Sequence, residues 1–570
     1  METANKNVYD RIFCGLKKTF DDKESTYKDI RELLAPGTGL FNGERGNDDL
    51  ENVKINYMRL LDSEPITFLD TTVAGLFGGL INPASRWFDL GVDQSNPLYR
   101  ELDPFTIGEM TSYVKEFLYY LFNKSNFYPA ANSVINEWVR YGIGVMLVEE
   151  RDQDLIFFNP LTMGEFYLGI DSNGKYDKLG RKMKLRVDQL VQSFGDKCPA
   201  KIKEDYDNGR YDQLYEVSHL ICPNPKDGTV SSRFKYVDLY WMKGCGCCEG
   251  PHYLRKSGFM SNPIVVFPWE RKNTRTVWPI GIGEKILGDV RELQMTVKAL
   301  NIHKSYLAKP ALAVHTSLGK KPILPGAVFY TEQDPTKVAS EIYRVSSYLG
   351  ELEDSRARLL DKIRKMSYAD ILMLFAQKDR GTMTAREVTA LVNEQMTLLA
   401  PIYLRAKSGL EALFDRVLDI LLRRGLLDGY TTISPKDIQI EFLSSIAKAQ
   451  KLAETGSMDD LLMYIGNIAQ VKPEALDYIN EDAMVIEYAE RLGCLNKINP
   501  SEEVEQIRQA RAQQQQVAED LESRAQEAKI AKDEAKAQQT NQQAVQNTNQ
   551  VSGPLLQLDN MMAGGSANVQ

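Results

Sequence analysis

The chain has 570 residues, a formal net charge of −9, and seven cysteines. That length exceeds what one hydrophobic core usually serves and predicts two to four domains. A net acidic chain without a sustained basic run excludes a tight, static nucleic-acid binder. No apolar run approaches a membrane span, and an odd cysteine count without a signal peptide reads as reduced thiols in a cytoplasmic product.

Residues 1–35 pattern as a helix with Tyr9, Ile12, Phe13, Leu16 and Phe20 on one side, followed by a glycine-rich loop from Pro36 to Asn47. A second helix carries Phe68, Leu69, Val73, Leu76, Phe77 and Leu80 and stops before Asn82-Pro83, because the residue ahead of a proline avoids the helical region. Two more run from about Ile107 to Phe122 and from Tyr128 to Tyr141. After Gly142 the period becomes alternating, and Val145–Glu149, Leu155–Phe158, Glu165–Ile170 and Lys182–Arg186 read as strands.

Gly169 to Tyr176 resembles a phosphate loop, but Tyr176 stands where the magnesium-binding Ser or Thr belongs, and Asn173-Gly174 suits a hairpin turn better. Gly281-Ile282-Gly283 is a weaker dinucleotide fingerprint, with Ile286 in the place of the third glycine. Cys245, Cys247, Cys248 and His252 offer potential zinc ligands. They lack the paired Cys-x-x-Cys spacing of structural sites and read as free thiols in a surface turn, with a metal site the secondary reading. No nucleophile sits in a recognisable elbow and the carboxylates are spread along solvated helix faces, so nothing argues for catalysis.

Long helices organise the remainder. Between Pro279 and Pro310, Ile286, Val290, Leu293, Val297, Leu300 and Leu307 keep a seven-residue repeat broken by Lys304 alone. So narrow a stripe predicts a helix packed among like helices rather than one sunk in a core. A compact insert from Lys309 to Ser347, with Lys320, Lys321, Pro322, Pro325 and Gly326, should hold turns and short strands. A helix from about Tyr348 to Phe375 follows, with Leu352, Leu359, Ile363 and Met366. The stretch Gln377-Lys378-Asp379-Arg380-Gly381-Thr382 is then too hydrophilic to bury.

Thr384 and Glu387 form a capping box that opens the longest apolar helix. Val388, Leu391, Val392, Leu399, Ile402, Tyr403, Leu410, Leu413, Phe414, Val417 and Leu421 run along it to Gly425, roughly 60 Å in all. Pro401 near its middle should bend it. Ile438 to Phe442 reads as a short strand, and shorter helices follow, punctuated by Gly456, Pro473 and Gly493. Asn499, Pro500 and Glu502 start a helix reaching about Gln539, whose stripe of Val504, Ile507, Val517 and Leu521 is too thin to stabilise it alone. From Thr540 the Asn- and Gln-rich remainder reads as a solvated tail.

Phe68-Leu69-Asp70-Thr71-Thr72-Val73-Ala74-Gly75-Leu76-Phe77-Gly78-Gly79-Leu80-Ile81-Asn82-Pro83, followed by Arg86-Trp87-Phe88-Asp89-Leu90, resembles the N-terminal signature of podovirus head-to-tail connecting proteins. These are the portal proteins of short-tailed double-stranded DNA phages. Further matches come in order: Trp278 to Gly283, Pro325-Gly326-Ala327, Thr382 to Val388, Ser445 to Gln450, and Pro473 to Asp477. Most of residues 10–515 is covered. The chain departs where the family often has Tyr-Gly ahead of the Gly281 helix and this one has Pro279-Ile280.

The resemblance implies an α+β, mainly helical portal fold assembled as a ring. Residues 1–278 would be the wing, β-rich over about 142–278, 279–308 and 348–375 the stem helices, and 309–347 the clip. Residues 376–383 would be a tunnel loop, 384–425 a long wing helix kinked at Pro401, 430–498 the crown, 499–539 a barrel helix and 540–570 a flexible tail. It implies a homo-dodecamer at one capsid vertex, made in the host cytoplasm and carried in the virion between head and tail. Such a ring is the conduit for double-stranded DNA packaging and ejection, and it docks the terminase large subunit and then a tail adaptor. Capsid, scaffolding and internal core proteins are further partners, with no membrane, cofactor or enzymatic activity.

By the same resemblance Gln377, Lys378, Arg380 and Thr382 would face the DNA channel, and Lys309, Lys320 and Lys321 would meet partners at the clip. Ile286, Val290, Leu293, Val297 and Leu300 would pack the stem against neighbouring copies, which would supply the partners a narrow stripe lacks. Two alternatives stand beside this one. Another ring component of a virion head or tail would not need the helix, clip, helix, loop order, and a nucleotide-using enzyme would need Gly169 to Tyr176 to bind phosphate.

Overall fold

The structure is a computed structural model that describes residues 2–39, 41, 60–92, 104–151, 154–242, 252–308, 312–314, 334, 339–341, 349–374, 385–427, 438–442, 463, 465, 484–485 and 501–549. The chain divides into two units, Met1–Tyr464 and Ile465–Gln570.

The first unit opens with α1 (Glu2–Leu34) and α2 (Glu64–Leu80). Pro65 sits in the first turn of α2, where a missing amide costs nothing. Then come β1 (Phe88–Val92), α3 (Pro104–Lys124) and α4 (Phe127–Tyr141). α4 ends because Gly142 takes φ +83°, returning its amide to Trp138 O at 3.0 Å. Strands β2 (Ile143–Arg151), β3 (Leu155–Leu161), β4 (Phe166–Ile170) and β5 (Tyr176–Arg186) follow. Two short helices, α5 (Val187–Phe194) and α6 (Ala200–Asp207), precede β6 (Leu214–Pro223), β7 (Tyr236–Met242), β8 (His252–Phe259) and β9 (Ile264–Pro268).

β9 and β3 flank β2 in a three-stranded antiparallel sheet, and β4 to β8 form a five-stranded antiparallel meander in chain order. α5 and α6 bury Val187, Leu190, Cys198 and Ile202 with Val217, Met242 and Leu254 in a satellite core. The main core is continuous from α1 to the long helix. In it Phe20, Tyr27 and Trp278 meet at ring-centroid distances of 5.2 to 6.1 Å.

After the sheets come α7 (Ile282–Ala308), β10 (Leu312–Val314), β11 (Ala339–Glu341), α8 (Leu349–Met366), α9 (Ala369–Leu374), α10 (Ala385–Arg423) and β12 (Ile438–Phe442). β10 and β11 pair antiparallel, the short strands expected of the insert. α10 contains Pro401 without ending there. It closes in a Schellman motif at Gly425, φ +67°, with Leu426 N bonded to Leu421 O and Gly425 N to Leu422 O.

Three expectations change. The helix expected from Tyr348 to Phe375 is broken at Ser367-Tyr368 into α8 and α9. Ile438 to Phe442, assigned to the crown, pairs antiparallel with β1 from Phe88↔Phe442 to Val92↔Ile438 and so belongs with the N-terminal half. Phe442, Phe414, Trp87, Phe88, Phe122 and Phe127 form one aromatic cluster beneath that ladder.

In the second unit, α11 runs from Ser501 to Asn549. It passes ten residues beyond Gln539, into the expected tail, because Ala, Gln and Lys favour helix however polar the sequence. Ile507, Val517, Leu521 and Ile530 are exposed along it.

Candidate functional site

Gly281 and Gly283 root α7 against the end of α4. A Cβ on Gly281 would lie 2.4 Å from Gly142 N, and one on Gly283 would lie 2.2 Å from Arg140 O. Only glycine lets the two main chains come this close. Trp269 N donates to Gly142 O and Ile280 N to Glu270 O, each at 2.8 Å, tying the end of β9 to the same root. Arg140, 5% exposed, donates to Leu34 O and pairs with Asp70, joining α4 to α1 and α2. One turn earlier, burial pushes the Glu137 carboxyl up to about 8, although the Met163 amide donates to it and Arg140 lies near.

From this root α7 runs beside α1 and α8. Lys23–Glu284 and Arg291–Asp29 lie in the same order on α1 and α7, so those two helices are parallel. Lys362–Asp289 and Lys304–Glu353 run in opposite order, so α7 and α8 are antiparallel. Ile286, Val290, Leu293, Val297 and Leu300 are all buried, the first four within the main core of the chain itself. The opposite face of α7 is charged in its first half, where Glu284 and Arg291 pair with α1, and apolar beyond it. Met295, Ile302 and Tyr306, spaced by seven and four, fall in one arc and are 72%, 47% and 50% exposed. Near the far end of the pair an open cavity of about 610 Å³ lies between Leu61–Glu64, α7 and α8, where Arg356 bonds Asp62 at 2.8 Å and Glu64 at 2.6 Å.

A second group of charges lies inside the five-stranded sheet. Arg181, His219, Tyr240 and Arg255 occupy paired positions across β5, β6, β7 and β8. Burial lowers the His219 pKa, so the neutral ring donates from Nε2 to Asp238 Oδ1 at 2.7 Å while stacking on Tyr240 at 3.9 Å. Burial works against the Asp238 carboxylate, but hydrogen bonds from His219 and Ser257 and the charge of Arg255 hold its pKa at about 2. His219 is 1% and Asp238 2% exposed, so this pair braces the sheet from within. Cross-strand partners such as His219 and Asp238 leave no local signal in the sequence.

Residues 6–498 match the profile of the bacteriophage head to tail connecting protein family. The chain belongs to that family. This connector is 29% identical over 532 residues to the portal protein of Salmonella phage epsilon15, covering 91% of this chain and 93% of the relative. It is 27% identical over 509 residues to the probable portal protein of Bordetella phage BPP-1, covering 87% and 89%. Among solved structures, a chain from the virion of a native gene transfer agent particle aligns at 11% identity and a TM-score of 0.31, over 71% of this chain and 89% of that one.

In the connector, the five stripe residues expected to pack the stem against neighbouring copies are buried within the chain itself. The heptad period reported an apolar face truly but could not report whose surface covers it. The exposed apolar residues on the other side of α7 are Met295, Ile302 and Tyr306. The phosphate-loop alternative fails on context: the Gly169 to Tyr176 stretch joins strand to strand, and Asp171 already accepts from the amides of Asn173, Gly174 and Lys175. Tyr176 donates to Val277 O rather than facing a loop cavity. The Gly281-Ile282-Gly283 glycines are accounted for by the α4 contact.

His252 Nε2 meets Lys197 O at 2.9 Å, whereas Cys245, Cys247 and Cys248 lie outside the described residues. So do Lys309, Lys320 and Lys321 of the insert and Gln377, Lys378, Arg380 and Thr382 of the polar loop.

Proposed function

We propose that copies of this connector close into a dodecameric ring at one capsid vertex, a passive conduit through which double-stranded DNA enters and leaves the head. A single observation carries the ring: away from its buried stripe, the later turns of α7 bear a second apolar face, Met295, Ile302 and Tyr306, that stays about half exposed or more among the described residues. A closed ring brings a different surface of the next copy against the second. The uncovered apolar residues of α11 support the same reading, since a helix this polar needs copies of itself or a partner.

In this reading α7 and α8 are the stem, residues 309–347 the clip, 376–383 the tunnel loop and 501–549 the barrel helix. The clip docks the terminase large subunit during packaging and a tail adaptor afterwards, and the ATPase lies in that partner. Lys378 and Arg380 make weak phosphate contacts in the channel, and Lys320 and Lys321 contact partners. A net acidic chain suits a conduit, because many phosphate contacts would hold DNA that has to slide.

The ring is tested by replacing Met295 and Ile302 together with Asp. The expected product is a folded monomer of unchanged helix content by circular dichroism; rings of undiminished size would contradict the assignment of this face. Lys378→Ala with Arg380→Ala should leave the ring intact and alter DNA packaging or retention, and loss of the ring itself would count against their placement.

A further inference from the structure

We propose that the Ser367–Tyr368 break is a latched hinge: α2 holds α9 away from α8, and when the latch opens the two join as one continuous helix. Only two residues separate α8 from α9. Ser367 N still bonds Ile363 O at 2.9 Å, so the helical ladder of α8 runs up to the break. Tyr368 then takes φ +63°, a left-handed conformation that crowds the Cβ of any L side chain and is rare for a bulky one. The ladder restarts at once, with Leu372 N on Tyr368 O.

The latch is built from α2. Thr72 Oγ1 donates to Ser367 O at 2.7 Å, with both residues fully buried. In a continuous helix that carbonyl would accept the Ile371 amide, so the hydroxyl occupies the bond that would fuse the helices. Gly75 gives Leu372 its seat, since a Cβ there would lie 2.9 Å from both Leu372 Cδ atoms. Arg364 and Asp370 pair at 2.6 Å across the break; six residues apart on a straight helix they would stand on different sides and the pair would part. Thr72 and Gly75 thus give a physical task to the Phe68 to Pro83 stretch, which the ring reading leaves unused.

Residue-resolved hydrogen exchange on the full chain tests the hinge, comparing Gly with Ala at position 368. Left-handed, the position prefers Gly; helical, it prefers Ala. Tyr368→Gly should therefore protect residues 369–374 about fivefold better than Tyr368→Ala. Adding Thr72→Val should reverse that order, because the freed carbonyl can accept Ile371. Protection of α4 reports whether each variant is folded, and if Thr72→Val is not, Gly75→Ala releases the latch by pressing on Leu372. The same order in both backgrounds would remove the second state and overturn the hinge, as would better protection with Ala when the latch is intact.

Discussion

Two glycines on α7 should respond to the same substitution with opposite signs. Gly283→Ala and Gly288→Ala each replace a helical glycine and each gain about 1 kcal/mol of helix propensity. At Gly288 nothing lies within 4 Å of the new Cβ, so the gain stands alone and stability rises. At Gly283 the Cβ would lie 2.2 Å from Arg140 O and 3.2 Å from Ile30 Cγ2. That is over an ångström inside the optimal separation of about 3.5 Å. The obstacle is main chain rather than the tip of a side chain, and Arg140 is itself bonded to Leu34 O, so α4 cannot step aside locally. Separating α4 from α7 should cost roughly 1–3 kcal/mol as overpacking, for a net loss of up to about 2 kcal/mol once the propensity gain is subtracted. Urea unfolding followed by circular dichroism measures both variants on one scale. If Gly283→Ala stabilised the protein as Gly288→Ala does, the close-approach argument would be refuted and the glycines would need another reason.

Phe414 is fully buried against the rings of Trp87, Phe88, Phe122 and Phe442. Phe414→Ala should lower unfolding stability by about 3–5 kcal/mol and speed amide exchange across the β1–β12 ladder ahead of the five-stranded sheet. Glu137 has a folded pKa of about 8, above its value in an unfolded chain, so it binds a proton more readily when folded. Its effect on stability is therefore favourable at low pH and declines as pH rises from about 4.5 toward 8, by on the order of a few kcal/mol. Glu137→Gln should flatten that slope in unfolding curves at pH 5 and pH 8; an unchanged slope would place the ionisation elsewhere. Asp238 shows the reverse case, a depressed pKa whose stabilisation is present above about 4 and lost as pH falls toward 2. Asp238→Ala should cost about 1–3 kcal/mol at neutral pH by leaving the buried His219 ring without its acceptor, read by the same unfolding assay.

Much of the helical frame was legible because its signals are local. Gly142 and Gly425 end helices where the pattern stops, and the Asn173-Gly174 turn joins two strands as its alternating flanks suggest. Within the β-rich stretch, β6 and β9 carried no signal of their own. Ile264–Pro268 is a short unbroken apolar run, and such a run cannot be told from buried helix by period. The β1–β12 ladder joins residues near 90 to residues near 440, a pairing no local window contains. No glycine or proline marks the break at Ser367-Tyr368; it is imposed by Thr72, nearly three hundred residues earlier in the chain. The site was legible as a helix, insert, helix order. Which apolar face of α7 the chain keeps for itself depended on α1, α4 and α8 arriving beside it.

The most direct test of the central claim is the native mass of the purified full chain, taken together with images of the particles. The account predicts closed rings of about twelve copies around a central hole, in keeping with closed cyclic symmetry. A monomer or dimer at every salt concentration tested would contradict it.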